Sequence, residues 1–302
     1  MKKKNGNDGR PAATETDITV ALAEHLLKKL APGGSYKIDA DSKQKRPCLC
    51  ECGAEPNYSP TGMGNSSVWY GFIDIIFTSP YPIDETQEQT ATSTVEDIPA
   101  IATAGEVIEE EKIIDYSDEE NDLEDSPQMI TEVKKVIPDE LLQQALAQTI
   151  VFSWIQRKRH PERSNHMVPN IVISPKQFKI MMFDAEKDVF LVSTFIDLFI
   201  DEKCTKLSSN AVIVLWMVLH NRMFCTGFDS GVKPTLLEKL KSDFITIVDD
   251  KLGTYSDSLE YFVSKFNPEK KPALNDSLNS GHLIDLFERF EGVQLDDTKA
   301  DA

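Results

Sequence analysis

The segment that most constrains the fold is an apolar, β-branched run that carries an acid and an amine two residues apart. It reads Met129-Ile130-Thr131-Glu132-Val133-Lys134-Lys135-Val136. Strand side chains repeat every second residue, so the run predicts a strand in which Glu132 and Lys134 project from one face. Burying an acid beside an amine costs free energy unless each has a charged partner. The fold is therefore expected to bring further charge to this point.

A second apolar run contains one further acid. It reads Trp69-Tyr70-Gly71-Phe72-Ile73-Asp74-Ile75-Ile76-Phe77, with Asp74 near its centre, and it predicts a strand over residues 68–78. Two carboxylates that converge on one point repel each other unless a cation lies between them. A hard divalent ion with oxygen ligands, Mg²⁺ (or Mn²⁺), is the natural candidate. The two runs together predict a metal site between neighbouring strands.

Negative charge is concentrated in one part of the chain. The 302 residues carry a formal net charge of −18, which by itself argues against a nucleic-acid partner. Residues 83–126, however, hold 16 Asp or Glu and a single Lys, so the remainder is nearly neutral and can carry basic patches. The tract has few aromatic residues and no periodicity, which predicts a disordered insertion. It could be a plain linker, a nucleic-acid mimic that shields a cleft, or a surface that binds a basic protein partner.

The cysteine content and the polar N-terminal segment indicate an intracellular protein, nuclear or cytoplasmic. Five cysteines, an odd number, favour a reducing compartment over a disulfide framework. The first 17 residues are polar and do not resemble a signal peptide. The longest apolar run, residues 211–219, is about half the length that a membrane span needs. We therefore expect no membrane partner.

Hydrophobic periodicity predicts an α/β fold with a central mixed β-sheet flanked by helices. A first helix is expected from Thr16 or Asp17 to about Leu30, and a second from Pro138 to about Arg159. Further strands are expected at 35–52, 128–136, 168–174 and 178–183, and helices at 189–200, 207–225 and through 232–292. The predicted organisation is a disordered tail (1–15), a core (16–204) with an insertion (83–126), an all-helical C-terminal extension (205–292) and a second tail (293–302).

Asp74 on one strand, Glu132-x-Lys134 on the next and a helix directly after it resemble the PD-(D/E)XK, or restriction-endonuclease-like, nuclease superfamily. In the helix, Gln144-Ala145-Leu146-Ala147-Gln148 is similar to the Gln-x-x-x-Tyr motif of the RecB and λ-exonuclease branch. The resemblance covers about residues 16–185. The sequence departs from the pattern at Ile73, where the motif has Pro, at Gln148 in place of Tyr, and in the 57 residues between Asp74 and Glu132.

The resemblance implies a restriction-endonuclease-like core and metal-dependent hydrolysis of phosphodiester bonds in nucleic acid, DNA more than RNA. Such a reaction needs a metal that lowers the pKa of the attacking water and positive charge on the developing phosphorane. In this interpretation Lys134 orients or deprotonates the water, and Gln144 and Gln148 bind the scissile phosphate or the lysine. The implied metal ligands are Asp74, Glu132, the carbonyl of Val133, and Glu24 of the first helix.

Two other interpretations of the same residues remain open. The spacing E-x-K alone is uninformative, because Glu110-x-Lys112 and Glu269-x-Lys271 share it in polar surroundings. Asp74 could be an inward-facing acid that accepts backbone hydrogen bonds, and Glu132 with Lys134 an edge-strand charge pair. Alternatively the chain could keep the nuclease fold without catalysis and act as a binding or scaffold protein whose acidic loop engages a partner.

Arg157-Lys158-Arg159 is the main basic cluster outside the N-terminal tail. Cations are favoured at the end of a helix, where the cluster falls. The same residues are candidate contacts to a nucleic-acid backbone beside the active site, or a short nuclear-localisation patch.

Cys48-x-Cys50-x-Cys52 would place three thiols on one face of an extended segment. Three thiolates and one further ligand could hold zinc, but structural zinc sites usually space their cysteines more widely. None of the five histidines shows ligand spacing, so these cysteines are expected to be small buried side chains.

Overall fold

The computed structural model of the protein describes residues 13–78, 127–225, 227–228 and 232–261. The predicted acidic insertion at 83–126, nearly all of the predicted N-terminal tail, and everything predicted after residue 261 lie outside the described residues. The fold and the site are therefore built from the remaining segments.

The described part of the chain begins with a continuous helical segment that ends near Leu30, as the sequence predicts. Helix α1 (Glu15–Leu22) passes into a π-helical segment (Ala23–Leu27) and a last α-helical turn, α2 (Lys28–Leu30). The N-cap is Thr14 rather than Thr16 or Asp17. The Thr14 hydroxyl accepts the Asp17 N–H at 3.2 Å, and the Asp17 carboxylate accepts the Thr14 N–H at 2.7 Å. This reciprocal capping box satisfies two backbone donors of the first turn and starts the helix within the predicted tail.

Eleven strands are described. In chain order they are β1 (Ser35–Asp39), β2 (Tyr58–Ser59), β3 (Gly62–Gly64), β4 (Tyr70–Phe72), β5 (Ile75–Thr78), β6 (Pro127–Val133), β7 (Met167–Ile173), β8 (Gln177–Asp184), β9 (Val189–Val192), β10 (Ile196–Asp197) and β11 (Glu260–Tyr261). The main sheet has eight strands in the order β10-β8-β7-β6-β5-β1-β2, with β9 also paired to β8, and a smaller sheet has the order β11-β3-β4. Strands β1 and β2 pair in parallel, as do β6 and β7, and the other neighbours are antiparallel. The central mixed sheet is as predicted.

The predicted strand over residues 68–78 is two strands in different sheets. Strand β4 belongs to the small sheet and β5 to the main one, and the chain bends at Ile73 and Asp74 between them. Asp74 therefore lies at a bend just before β5, not in the middle of a strand.

The remaining helices are α3 (Asp139–Arg159), α4 (Ser209–Leu219), α5 (Asn221–Phe224), α6 (Pro234–Leu240), α7 (Phe244–Val248) and α8 (Leu252–Asp257). Helix α3 has the predicted span. The helix predicted for 189–200 is wrong: β9 and β10 occupy it, because a short run of β-branched and aromatic residues after a turn at Asp188 pairs with β8. The C-terminal region is not all helical either, since β11 pairs with β3.

The main sheet has a hydrophobic core on each face, and the alternation along β6 separates them. Ile130 packs with Leu142 and Leu146 of α3. Met129 and Val133 pack on the opposite face with residues of the first helical segment and α4. Glu132 shares its face with Ile130 because strand side chains alternate. The fold thus aims Glu132 at α3.

Candidate active site

Three acids gather around the side-chain amine of Lys134 at one end of the main sheet. The Lys134 Nζ lies 2.9 Å from Oε1 of Glu132, 3.5 Å from Oδ2 of Asp74 and 3.0 Å from Oε1 of Glu15. The structure therefore brings together Asp74, Glu132 and Lys134, the three side chains singled out in the sequence. We call Glu15, Lys43, Asp74, Glu132 and Lys134 the charged cluster.

The pairing of β5 with β6 explains why Asp74 and Glu132 meet. The strands are antiparallel with Ile75 opposite Thr131, so the residue before Ile75 and the residue after Thr131 become neighbours. Asp74 is buried, and its Oδ2 accepts the Val133 N–H at 2.7 Å. This hydrogen bond from the main chain fixes the carboxylate against the end of β6. Val133 contacts Asp74 through its N–H, and metal binding by its carbonyl stays a prediction.

The two glutamines of α3 contact Glu132. The side-chain amide of Gln144 donates to Oε1 of Glu132 at 3.3 Å, and that of Gln148 donates to Oε2 at 3.0 Å. They are four residues apart, so both lie on the same helix face. Gln148 also donates to the carbonyl of Phe72 at 3.3 Å. The glutamines thus orient the carboxylate of Glu132, and their predicted role in binding phosphate stays a prediction.

Glu15 and Lys43 complete the charged cluster, and the sequence did not identify either. Glu15 is the first residue of α1, and Lys43 lies in the irregular loop that follows β1. The Lys43 Nζ is 2.5 Å from Oε1 of Glu15 and 2.7 Å from Oδ1 of Asp74. Glu15 looked like any first-turn acid. Only its burial, with 5% of the side chain exposed, distinguishes Lys43 from other loop lysines.

Glu24, the predicted metal ligand of the first helix, lies elsewhere. Its carboxylate accepts the hydroxyl of Tyr36 and pairs with Lys28 at 3.1 Å. Tyr36 is opposite Phe77, which is three residues, or about 10 Å, along β5 from Asp74. The acid that α1 brings to the charged cluster is Glu15, nine residues or about two and a half turns earlier.

Burial and mutual repulsion set the protonation states. Burial raises the pKa of Glu132, and the nearby Asp74 charge raises it further, so that it reaches about 7 although Lys134 and Gln148 oppose the shift. For Lys134, burial lowers the pKa, but the charges of Glu132 and Asp74 outweigh it and the net shift is upward. Glu132 is therefore poised to take up a proton near neutral pH, while Lys134 stays an ammonium.

The Glu132 carboxyl makes the stability of the metal-free protein pH-dependent. Its pKa in the folded protein, about 7, exceeds its ordinary value of 4.5. The folded protein therefore holds the proton more tightly than the unfolded chain does. This contribution to the free energy of unfolding is fully present below the ordinary pKa and is lost as the pH rises through about 7. Glu132→Gln removes this titration. We expect the variant to gain stability relative to wild type between about pH 5 and about pH 8, measured by urea unfolding in EDTA. The exposed Glu55→Gln is the matched control, and an equal gain in both variants would contradict the assignment.

The basic cluster at the end of α3 is engaged with the rest of the chain. Arg157 donates to the carbonyl of Ala185 at 3.1 Å, and Lys158 donates to that of Asp257 at 2.6 Å. The Arg159 guanidinium lies 5.0 Å from the ring centre of Tyr261. Gln148 is nine residues, or about 14 Å, from Arg157 along the helix axis. Lys158 and Arg159 tie the C-terminal region to α3, and Arg157 ties α3 to the end of β8. Contact of the three side chains with nucleic acid stays a prediction.

Comparisons of the chain with protein-family models, curated proteins and solved structures found no match. Within the described part of the chain, no helix has both the length and the apolar content that crossing a membrane requires.

Proposed function

We propose that the chain is a divalent-metal-dependent nuclease with a restriction-endonuclease-like core, hydrolysing phosphodiester bonds in DNA more readily than in RNA. The observation that carries the proposal is the convergence of Asp74 and Glu132 on Lys134 at the ends of two paired strands. Helix α3 begins directly after the second strand and contributes both glutamines. The order of these residues along the chain, the pairing of β5 with β6 and the contacts of both glutamines with Glu132 support the proposal.

The charged cluster is partly exposed to solvent, so a substrate can reach it. Glu132 and Asp74 are buried, with 2% and 6% of their side chains exposed, whereas Lys134 and Glu15 are 22% and 36% exposed. The cluster therefore opens to solvent on the side of Lys134 and Glu15. A phosphate that enters there meets the Lys134 ammonium and the Glu15 carboxylate paired with it before it meets the buried acids.

The donor atoms suit a hard cation. Carboxylate and carbonyl oxygens are the ligands that Mg²⁺ and Mn²⁺ prefer, and Asp74, Glu132 and the carbonyl of Val133 would hold the ion. Bound there, the ion would supply a water of lowered pKa and positive charge for the transition state. The charges of Glu132 and Asp74 raise the pKa of Lys134 in the metal-free cluster, and the ammonium would orient the water and stabilise developing negative charge. Gln144 and Gln148 hold the Glu132 carboxylate in position.

A second function is favoured by the balance of charge in the cluster. The cluster has three carboxylates, those of Glu15, Asp74 and Glu132, and the two ammonium groups of Lys43 and Lys134 balance two of them. Because its pKa is raised to about 7, Glu132 can take up a proton near neutral pH, which removes the third negative charge. Such a cluster is stable without a metal. The alternative is a catalytically inactive protein of nuclease fold that binds or scaffolds, with its acidic loop engaging a partner.

A cleavage assay on the full chain distinguishes the two functions. End-labelled single-stranded and duplex DNA, and RNA of the same sequence, are incubated with Mg²⁺, with Mn²⁺ or with EDTA. We expect cleavage of DNA with either metal and none in EDTA. Binding of DNA without cleavage under any metal condition would contradict the nuclease and support the scaffold. A chain that neither binds nor cleaves any of these nucleic acids would also contradict the nuclease.

A further inference from the structure

A second group of chemically reactive side chains lies apart from the charged cluster. His25, Cys48, Cys50 and Cys52 each direct one ligand atom to a common point, and these four atoms lie within 4.8 Å of one another. Cys48 is buried as expected, but Cys50 and Cys52 are exposed, as is His25, so the expectation of small buried thiols is wrong for two of the three cysteines. Among the described residues, this is the only group of His, Cys and acids that meets that spacing.

The separations are close to the edges of a zinc tetrahedron, three of the four being shorter than the ideal edge by about 0.4–0.6 Å. Nε2 of His25 is 3.2 Å from Sγ of Cys48, 3.1 Å from Sγ of Cys50 and 3.8 Å from Sγ of Cys52, and the Cys48 and Cys50 sulfurs are 3.2 Å apart. An ideal zinc tetrahedron has edges of about 3.8 Å between sulfurs and about 3.6 Å between sulfur and nitrogen. The cysteines are free thiols. Three thiols and one imidazole at these separations are the arrangement expected around a shared cation.

Local backbone features bring the four residues together. The cysteine segment is not extended: it turns at residues 49–50, the Glu51 N–H donates to the Cys48 carbonyl at 3.2 Å, and Glu51 has a left-handed φ of 57°. This turn is what lets alternate cysteines face one point. His25 lies in the π-helical segment of the first helix, and π-helical turns are frequent at functional sites.

We propose that His25, Cys48, Cys50 and Cys52 form a structural zinc site. Three thiolates and one imidazole make a closed tetrahedral set of the kind that structural zinc uses, with no ligand position left for a substrate. Thiolate and imidazole donors select Zn²⁺ over Mg²⁺. The ion joins the loop between β1 and β2, which has no helix or strand over residues 40–57, to the first helix. Loops of this length without secondary structure are uncommon in compact domains, and the ion would add a fixed point to this one.

The sequence alone gives only weak evidence for this site, because it does not identify the fourth ligand, His25. His25 precedes Cys48 by 23 residues and lies on a helix, so neither spacing nor order identifies it. The C-x-C spacing also falls outside the usual zinc knuckle. Only the packing of the first helix against the loop reveals the fourth ligand.

The test is the metal content of the full chain purified under reducing conditions without chelator. Elemental analysis should give one zinc per chain. Replacement of zinc by Co²⁺ should give the visible absorption of tetrahedral cobalt, with thiolate charge transfer of the intensity expected for three sulfur ligands. A wild-type protein that contains no zinc and gives no tetrahedral cobalt spectrum after reconstitution would overturn the proposal, whether or not any variant folds.

Variants locate the ion. Cys50→Ser and His25→Gln should each weaken zinc binding by more than the roughly 10–100-fold that outer-shell changes cause. Cys204→Ser, a cysteine outside the group, and Glu132→Gln, in the charged cluster, should both keep one zinc per chain. Loss of zinc from Glu132→Gln with retention in Cys50→Ser would place the metal in the charged cluster and contradict the proposal. The result is independent of nuclease activity, since it is read as bound metal.

Discussion

Replacing Lys134 by alanine is expected to lower the rate of metal-dependent phosphodiester hydrolysis by roughly 10²–10⁴-fold, the range for a positioned proton-transfer or water-orienting group. The ammonium contacts Glu132, Asp74 and Glu15 at 2.9–3.5 Å, so it occupies the centre of the proposed reaction site. Because the proposed mechanism has the lysine act on the water and the transition state, the loss should fall mainly on kcat and not on KM. Steady-state rates on a DNA substrate measure it.

The neighbouring lysine is the matched control. Lys135 is the same residue type, one position further on and exposed, so Lys135→Ala should keep the wild-type rate. Lys134→Arg keeps the positive charge that the buried acids need but moves its position, which separates charge balance from catalysis. We expect Lys134→Arg to fold like wild type and still to lose most activity. Equal rates for Lys134→Ala and Lys135→Ala would remove Lys134 from the mechanism.

The second large effect concerns stability. Lys43→Met should lower the free energy of unfolding by roughly 3–5 kcal/mol, the cost of breaking a buried ion pair from one side. Lys43 and Asp74 are 5% and 6% exposed and 2.7 Å apart, so methionine would keep the packing but leave Asp74 facing Glu132 with one cation fewer. Lys45→Met, an exposed lysine of the same loop, should change stability by less than about 0.5 kcal/mol. Urea unfolding of both variants measures the difference.

A double-mutant cycle tests whether the loss comes from this pair. Asp74→Asn combined with Lys43→Met should be less destabilising than the sum of the single changes, with a coupling energy of about 0.5–3 kcal/mol. Additive effects would mean that the two side chains stabilise the fold independently. The ion pair with Asp74 would then not explain why Lys43 is buried.

The parts of the fold with strong local periodicity could be predicted from the sequence. Helix α3 has the predicted span because its apolar residues recur at helical spacing and Pro138 precedes it. Strand β6 lies where its β-branched run predicted it. The four successive apolar residues at 189–192 fit a helix or a strand equally well, and only the pairing with β8 makes them a strand. The bend at Asp74 could not be predicted, because it depends on the pairing of β4 with β3 in the smaller sheet and not on the local sequence.

For the charged cluster, the sequence could identify the residues whose surroundings were improbable. An acid or a lysine within an apolar run is conspicuous, and Asp74, Glu132 and Lys134 all have that property. Glu15 and Lys43 have ordinary polar neighbours, and tertiary packing alone brings them to the cluster. Glu24 shows the reverse case, since its place on the first helix was suggestive but β1 supplies Tyr36 as its partner.

The pairing of β5 with β6 has a consequence for how the polypeptide can be rearranged. Thr78 is opposite Pro127, so the segment between them leaves and re-enters the sheet at adjacent points, four residues or about 13 Å along β5 from Asp74. The pairing of β5 with β6 therefore does not depend on the 48 residues of this segment. A reporter domain whose own termini lie close together could replace them, and two co-expressed fragments divided there could reassemble through the same ladder.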